Sequence, residues 1–144
     1  MHYGHSIDSK RQLIFQVFSG HFTVADIIEC TRCLWDDPAY STTHNGIVDI
    51  TQMSPGAVIA DLHSLTAFLK DHPKTSRSRW AVITDSPLVT AGSLFYKTLM
   101  SGRHSLEVFS TREAACTYLQ LDSFRPSEPV IKIMRPETPA PAVT

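Results

Sequence analysis

The run Gly46-Ile47-Val48-Asp49-Ile50 lies at the centre of the alternation of apolar segments that decides the fold. It is short, rich in β-branched residues and preceded by a polar loop, which is typical of a parallel strand that is buried on both faces. Two further runs of this kind follow it, Trp80 to Thr84 and Ser105 to Phe109. Because a helical pattern comes after each of the three runs, the sequence predicts parallel strands joined by helical crossovers.

Apolar residues at helical spacing mark those three helices. The first covers Val58 to Leu69, the second covers about Leu88 to Met100, and the third begins near Ala115. Capping residues are predicted at their starts: Ser54 before Pro55, Ser86 before Pro87, and Ser110 with Glu113 in a capping box.

A hairpin and one more helix are predicted before the central run. The segments Tyr3 to Asp8 and Leu13 to Ser19 are strand-like and are separated by a polar turn. Apolar residues occupy both faces of the second segment, so we expect cover on both. Thr23 is a plausible N-cap for a helix that ends before Pro38.

These elements predict an α/β domain over residues 1–124, with a mixed sheet of about five strands and about four helices. Its right-handed crossovers should place the helices on a shared face. Residues 125–144 are rich in proline and form a predicted tail. Within it, Val130 to Met134 is apolar enough that we expect it to pack on the domain or on a neighbouring subunit.

Composition excludes several classes of function. The chain has 144 residues, 42% of them hydrophobic, which suits one globular domain. Its formal charge of -1 provides no field to attract nucleic acid. No signal peptide and no apolar run long enough to span a membrane is present, and the three cysteines fit a reducing compartment, so a cytoplasmic location is predicted.

No catalytic signature is found, and we predict a protein that is not an enzyme and has neither a metal nor a cofactor. Cys30 and Cys33 match a redox spacing, but they lie inside the first helix, away from its N-terminus, so they are interpreted as core residues. The basic stretch Lys70 to Arg79 is interpreted as a solvated loop. Asp49, Asp61 and His63 are interpreted as hydrogen-bonding and solvated residues because their spacing points them in different directions.

The helix from Leu88 to Met100 is apolar on more than one side, which predicts that a second surface covers it. One hypothesis is a docking face for a regulatory protein or for a second copy in a homodimer, formed by Leu94, Tyr96 and Met100. The other is a pocket for a small apolar ligand or lipid between this helix and the sheet, lined by Trp80, Phe95 and Leu99.

Three segments resemble the bacterial STAS-like family, which is related to the sporulation anti-sigma-factor antagonists and to Sec14-type proteins. They are Phe18-Ser19-Gly20-His21-Phe22-Thr23, Trp35-Asp36-Asp37-Pro38-Ala39-Tyr40, and Ile47-Val48-Asp49-Ile50. The resemblance covers roughly Tyr3 to Leu121. It implies a hairpin followed by a right-handed βα superhelix, and a regulatory or ligand-responsive role rather than catalysis.

The resemblance also implies a phosphorylation switch at Ser54, because antagonists of that family carry a hydroxyl residue at the start of the helix after the central strand. A phosphate there would add nearly two negative charges near a helix N-terminus. The family pattern has Asp beside the hydroxyl residue, whereas this chain has Met53-Ser54-Pro55-Gly56. The alternative is that Ser54 only caps the helix.

Overall fold

The structure is a computed structural model that describes residues 1–121 and the strand Val130–Ile133. Its strands are β1 (His2–Asp8), β2 (Leu13–His21), β3 (Asn45–Ser54), β4 (Arg79–Ile83), β5 (Ser105–Phe109) and β6 (Val130–Ile133). Its helices are α1 (Val24–Trp35), α2 (Gly56–Ala60), α3 (Leu62–Asp71), α4 (Pro87–Leu99) and α5 (Arg112–Tyr118). Apart from β6, the predicted tail lies outside the described residues.

The strands form one mixed sheet in the order β5-β4-β3-β2-β1-β6. β2, β3, β4 and β5 are parallel neighbours, and β1 is antiparallel to β2, as the predicted hairpin requires. The α/β class and the mixed sheet are therefore confirmed. Among the described residues, the sheet has one strand more than the sequence predicted, because β6 pairs antiparallel with the outer edge of β1. An edge is where a strand from a proline-rich segment is tolerated.

The helices lie on both faces of the sheet, so the prediction of a shared face is wrong. α1, α3 and α4 pack on one face, where their apolar residues meet Phe18 of β2. α5 covers the opposite face, where Ala115, Cys116 and Leu119 meet Leu13, Phe15, Ile47, Ala81 and Ile83. The physical reason is that β2 carries apolar side chains on both of its faces, so both faces of the sheet must be removed from water.

Two predicted caps are confirmed by their hydrogen bonds. Thr23 and Asp26 form a reciprocal capping box at the start of α1. Ser86 accepts a hydrogen bond from the backbone N–H of Val89, and Pro87 follows it as the first residue of α4.

Two other predicted caps are wrong. The N-cap of α5 is Thr111, whose Oγ1 accepts from the Ala114 N–H at 3.2 Å, and not Ser110. Thr111 is three residues before Ala114, which is the reach of a capping hydroxyl. Ser54 is the last residue of β3, and Pro55 is the N-cap of α2. The single helix predicted after it is broken at Asp61 into α2 and α3.

Candidate functional site

A cavity of about 210 Å³ lies between the sheet and the helices α1 to α4. Most of its lining is apolar and includes Phe18, Trp35, Ile50, Leu65, Trp80 and Val89. A dry engineered cavity of about 150 Å³ binds benzene, whereas pockets for drug-sized ligands begin near ~300 Å³. The cavity therefore has the size for a small apolar molecule.

No Lys, Arg, Asp or Glu side chain lines the cavity within the described part of the chain. A charged ligand would therefore lose its hydration without gaining an ion pair, which is strongly unfavourable. The polar groups that do line it belong to neutral side chains such as Gln16, Tyr96 and His104.

One polar wall of the cavity is a hydrogen-bonded chain of Tyr96, His104 and Ser76. The Tyr96 hydroxyl lies 3.1 Å from His104 Nε2, and His104 Nδ1 lies 3.3 Å from the Ser76 carbonyl oxygen. A carbonyl only accepts, so Nδ1 carries a proton and donates it. Burial and the nearby Arg103 charge lower the pKa of His104, and burial raises the pKa of Tyr96. The imidazole is therefore neutral near pH 7, and its Nε2 accepts from the Tyr96 hydroxyl.

A second chain of hydrogen bonds ends at Gln16. His5 Nε2 donates to Asp37 at 2.9 Å, and His5 Nδ1 lies 3.2 Å from the Tyr3 hydroxyl. Gln16 Nε2 donates to the same hydroxyl at 2.9 Å. The Asp37 carboxylate only accepts, so His5 Nε2 is the donor in that contact, and the hydrogen bond to Tyr3 fixes the Gln16 amide in one orientation. Burial raises the pKa of Tyr3, which keeps this hydroxyl protonated.

The structure places only some of the predicted site residues at the cavity. Trp80 and Tyr96 line it, whereas Phe95 is 46% exposed and packs edge-to-face on His63 with ring centroids 5.5 Å apart. Leu99 is half-buried and packs in the core. The prediction that Phe95 and Leu99 line the pocket is therefore wrong, because the phase of α4 turns Phe95 outward.

The three residues of the predicted docking face do not lie on one exposed side of α4. Leu94 is 54% exposed, but Met100 is fully buried in the core and Tyr96 lines the cavity. Met100 and Tyr96 are thus not part of an exposed surface. The exposed apolar face of α4 is formed instead by Leu88, Leu94 and Phe95, which we call the α4 outer face.

Ser54 lies exposed at the end of β3, opposite His21 of β2. It forms no cap for α2, which has no side-chain hydrogen bond at its N-terminus. Phosphorylation of Ser54 stays a prediction.

The cysteine pair lies within α1, where Cys30 is fully buried and Cys33 is half-buried. Both thiols are free. Burial raises the pKa of Cys30 to about 12, so it remains a thiol at neutral pH.

The acidic and basic candidates are spread over the molecule. Asp49 accepts from Thr51 and lies 3.9 Å from Arg112. In the basic stretch, Arg79 donates to the Tyr118 carbonyl oxygen at 2.6 Å and stacks on its ring, so it supports the packing of α5. In the described residues no three His, Cys, Asp or Glu side chains are grouped as a metal site would require.

The sequence contained one signal for the polar groups that were missed. Gln16 is a buried polar residue within the apolar run from Leu13 to Phe18, and buried polar residues of that kind need partners. No pattern in the sequence indicates that His104 and Ser76, from separate loops, would meet Tyr96.

Comparison with known proteins supports the fold. No family model and no curated protein matches the chain. Among solved structures, it is similar to the crystal structure of an uncharacterized protein of the DUF3478 family from Shewanella loihica, which has a SpoIIAA-like fold. The TM-score is 0.56 at 19% identity, and the match covers 83% of this chain and 95% of the other. The protein thus has a SpoIIAA-like, or STAS-like, fold. Among the described residues, no helix has the length and apolar character needed to cross a bilayer.

Proposed function

We propose that this STAS-like domain is a non-catalytic binding module that takes a small apolar ligand in the cavity between the sheet and α1 to α4. The observation that carries the proposal is the cavity of about 210 Å³ with an apolar, uncharged lining. Burial of a ligand there would remove its apolar surface from water, which is the main favourable term for such binding. A cytoplasmic location of the protein also stays a proposal.

The first experiment is native mass spectrometry of freshly purified protein, combined with tryptophan fluorescence. Both tryptophans of the chain, Trp35 and Trp80, line the cavity, so their emission should change when a ligand enters. The proposal would be supported by an organic adduct in the mass spectrum whose removal from the protein changes the tryptophan fluorescence. Absence of any adduct, with no response to small aromatic hydrocarbons, would contradict it.

A matched pair of variants separates cavity binding from binding elsewhere on α4. Ser93 lines the cavity and Ala91 lies exposed on the same helix. Ser93→Phe should fill the cavity and reduce ligand affinity at least tenfold, whereas Ala91→Phe should leave the affinity unchanged. Equal effects of the two variants would place the ligand outside the cavity.

A regulatory or interaction role is the second candidate function, and the α4 outer face favours it. Leu88, Leu94 and Phe95 are 56%, 54% and 46% exposed, and large apolar side chains grouped on one helix are typical of a docking surface. Self-association as a homodimer is its simplest form. Phe95→Glu should then lower the solution mass to that of a monomer, while Thr117→Glu, exposed on α5 at the opposite face of the sheet, should leave it unchanged. A monomeric parent protein would contradict self-association.

A further inference from the structure

The cavity presents a fixed hydrogen-bond acceptor to its ligand, the Tyr96 hydroxyl oxygen. The Ser76 carbonyl requires His104 Nδ1 to donate, so the neutral His104 has only a lone pair on Nε2. Nε2 therefore accepts a hydrogen bond from the Tyr96 hydroxyl, whose oxygen lies 3.1 Å away. With its own proton committed, the Tyr96 oxygen can accept a hydrogen bond but has none to donate.

The rest of the lining does not favour an anion. Gln16 is held by Tyr3 through one N–H and keeps its carbonyl oxygen and its second N–H for other partners. Ser93 has a hydroxyl that rotates, so it suits donors and acceptors equally. No cationic side chain lines the cavity in the described residues, so nothing there would compensate a carboxylate or a phosphate.

We infer that the cavity selects a neutral apolar ligand that carries a hydroxyl group, and that this hydroxyl donates its hydrogen bond to Tyr96. The inference rests on the proposed function and adds the chemical class of the ligand. A hydrocarbon leaves the acceptor unpaired, while an ether or a carboxylate brings a second acceptor against it. Only a ligand that donates satisfies the wall formed by Tyr96, His104 and Ser76.

The test compares four small aromatic ligands of nearly equal size on the parent protein and on Tyr96→Phe. They are phenethyl alcohol, which donates and accepts; benzyl methyl ether, which only accepts; phenylacetate, which is anionic; and propylbenzene, which is apolar. Affinities come from the fluorescence of Trp35 and Trp80, both in the cavity lining. Tyr40→Phe is the matched control, because Tyr40 also lines the cavity but its hydroxyl donates to the Lys74 carbonyl oxygen.

We expect a loss of affinity that depends on both the ligand and the variant. Tyr96→Phe should weaken phenethyl alcohol by roughly two- to tenfold, the range that one neutral hydrogen bond gives. Propylbenzene and benzyl methyl ether should bind Tyr96→Phe as tightly as the parent, or more tightly. Tyr40→Phe should not change the affinity of one ligand relative to the others. Phenylacetate should bind weakest to the parent.

Three results would overturn the inference while leaving apolar binding intact: an unchanged affinity for phenethyl alcohol, an equal loss for the ether, or tightest binding of phenylacetate. Each would mean that Tyr96 donates to the ligand or does not meet it. If propylbenzene and every other probe fail to change the fluorescence of the parent, the proposed function itself fails. The two failures are thus distinguishable.

Discussion

Trp80 lies across Gly46 so closely that its indole ring occupies the place where a side chain at that position would start. The two residues are register partners in the parallel pair β3 and β4. A Cβ on Gly46 would lie 2.2 Å from Trp80 Cζ3, and the ring is held in place because its Nε1 donates to Ser76 Oγ at 2.7 Å. The glycine thus allows Trp80 to reach the cavity wall.

Gly46→Ala should therefore destabilise the protein by about 1–3 kcal/mol, the usual cost of overpacking a core. The measurement is chemical denaturation, with the native tryptophan emission as a second readout of a displaced ring. Gly56→Ala is the control, because a Cβ at Gly56 would meet nothing within 4 Å. Equal stability of the two variants would contradict the steric role of Gly46.

Thr111→Ala should destabilise α5 by about 0.5–2 kcal/mol, because the Ala114 N–H loses its acceptor. Ser110→Ala, one residue earlier, should change the free energy of unfolding by much less. Thermal or urea denaturation of the two variants gives the comparison. A larger loss for Ser110→Ala would restore the cap predicted from the sequence.

One of the three thiols should react readily with a chromogenic disulfide reagent in the native state. Cys33 is half-buried, whereas Cys30 and Cys116 are buried and their thiol pKa values are raised by burial. We expect a fast phase of about one thiol per chain, which Cys33→Ser should remove. Rapid reaction of Cys30 would show that α1 is opened more easily than its packing indicates.

His104 should make the free energy of unfolding decrease as the pH falls below 6.5. Its pKa lies below the ordinary 6.5 in the folded state, so the unfolded chain binds its proton more readily. The contribution is present above pH 6.5 and is lost as the pH falls through the lower folded value. Burial of the imidazole is the main cause of the lowered pKa; the hydrogen bond to the Ser76 carbonyl oxygen opposes the shift, and the nearby Arg103 charge adds to it.

The measurement compares the pH dependence of unfolding in the parent and in His104→Gln, which does not titrate. As the pH falls below 6.5, the free energy of unfolding of the parent should decrease relative to that of the variant. A difference that stays constant with pH would mean that the folded imidazole titrates normally.

Truncation after residue 124 should lower stability and increase self-association. It removes β6, and the outer edge of β1 from His2 to His5 then loses its strand partner. Unpaired edges bind other strands, so light scattering should rise with protein concentration. Truncation after Ile133, which retains β6, is the control. Unchanged stability and solution mass after the shorter truncation would contradict this role of β6.

Much of the fold could be predicted because its signals are local. Val48 and Ile50 lie in a β-branched run, and Thr23 has Asp26 at the spacing of a capping box. The assignment of helices to faces could not be predicted in this way. It depends on where α5 lies after β5, and neither Ala115 nor Leu119 carries a local signal for one face over the other.

The candidate site was predicted only in part, for a related reason. The apolar excess of α4 indicated a second surface, and Trp80 and Tyr96 do line one. A helical wheel with apolar residues on several sides does not show which of them point inward, so Phe95 and Leu99 were misplaced. The contact of His104 with Ser76 joins two loops 28 residues apart, and only the completed sheet brings them together.

The pairing of β6 with β1 also has a consequence for how the protein is made. β1 leaves the ribosome long before β6, because His2 and its partner in the ladder, Ile133, are 131 residues apart (133 minus 2). Until β6 has been made, β1 therefore has an unpaired outer edge, and pairings so distant along the chain form slowly. Crowded nascent chains would be most exposed to strand exchange in that interval, which ends when β6 pairs with β1.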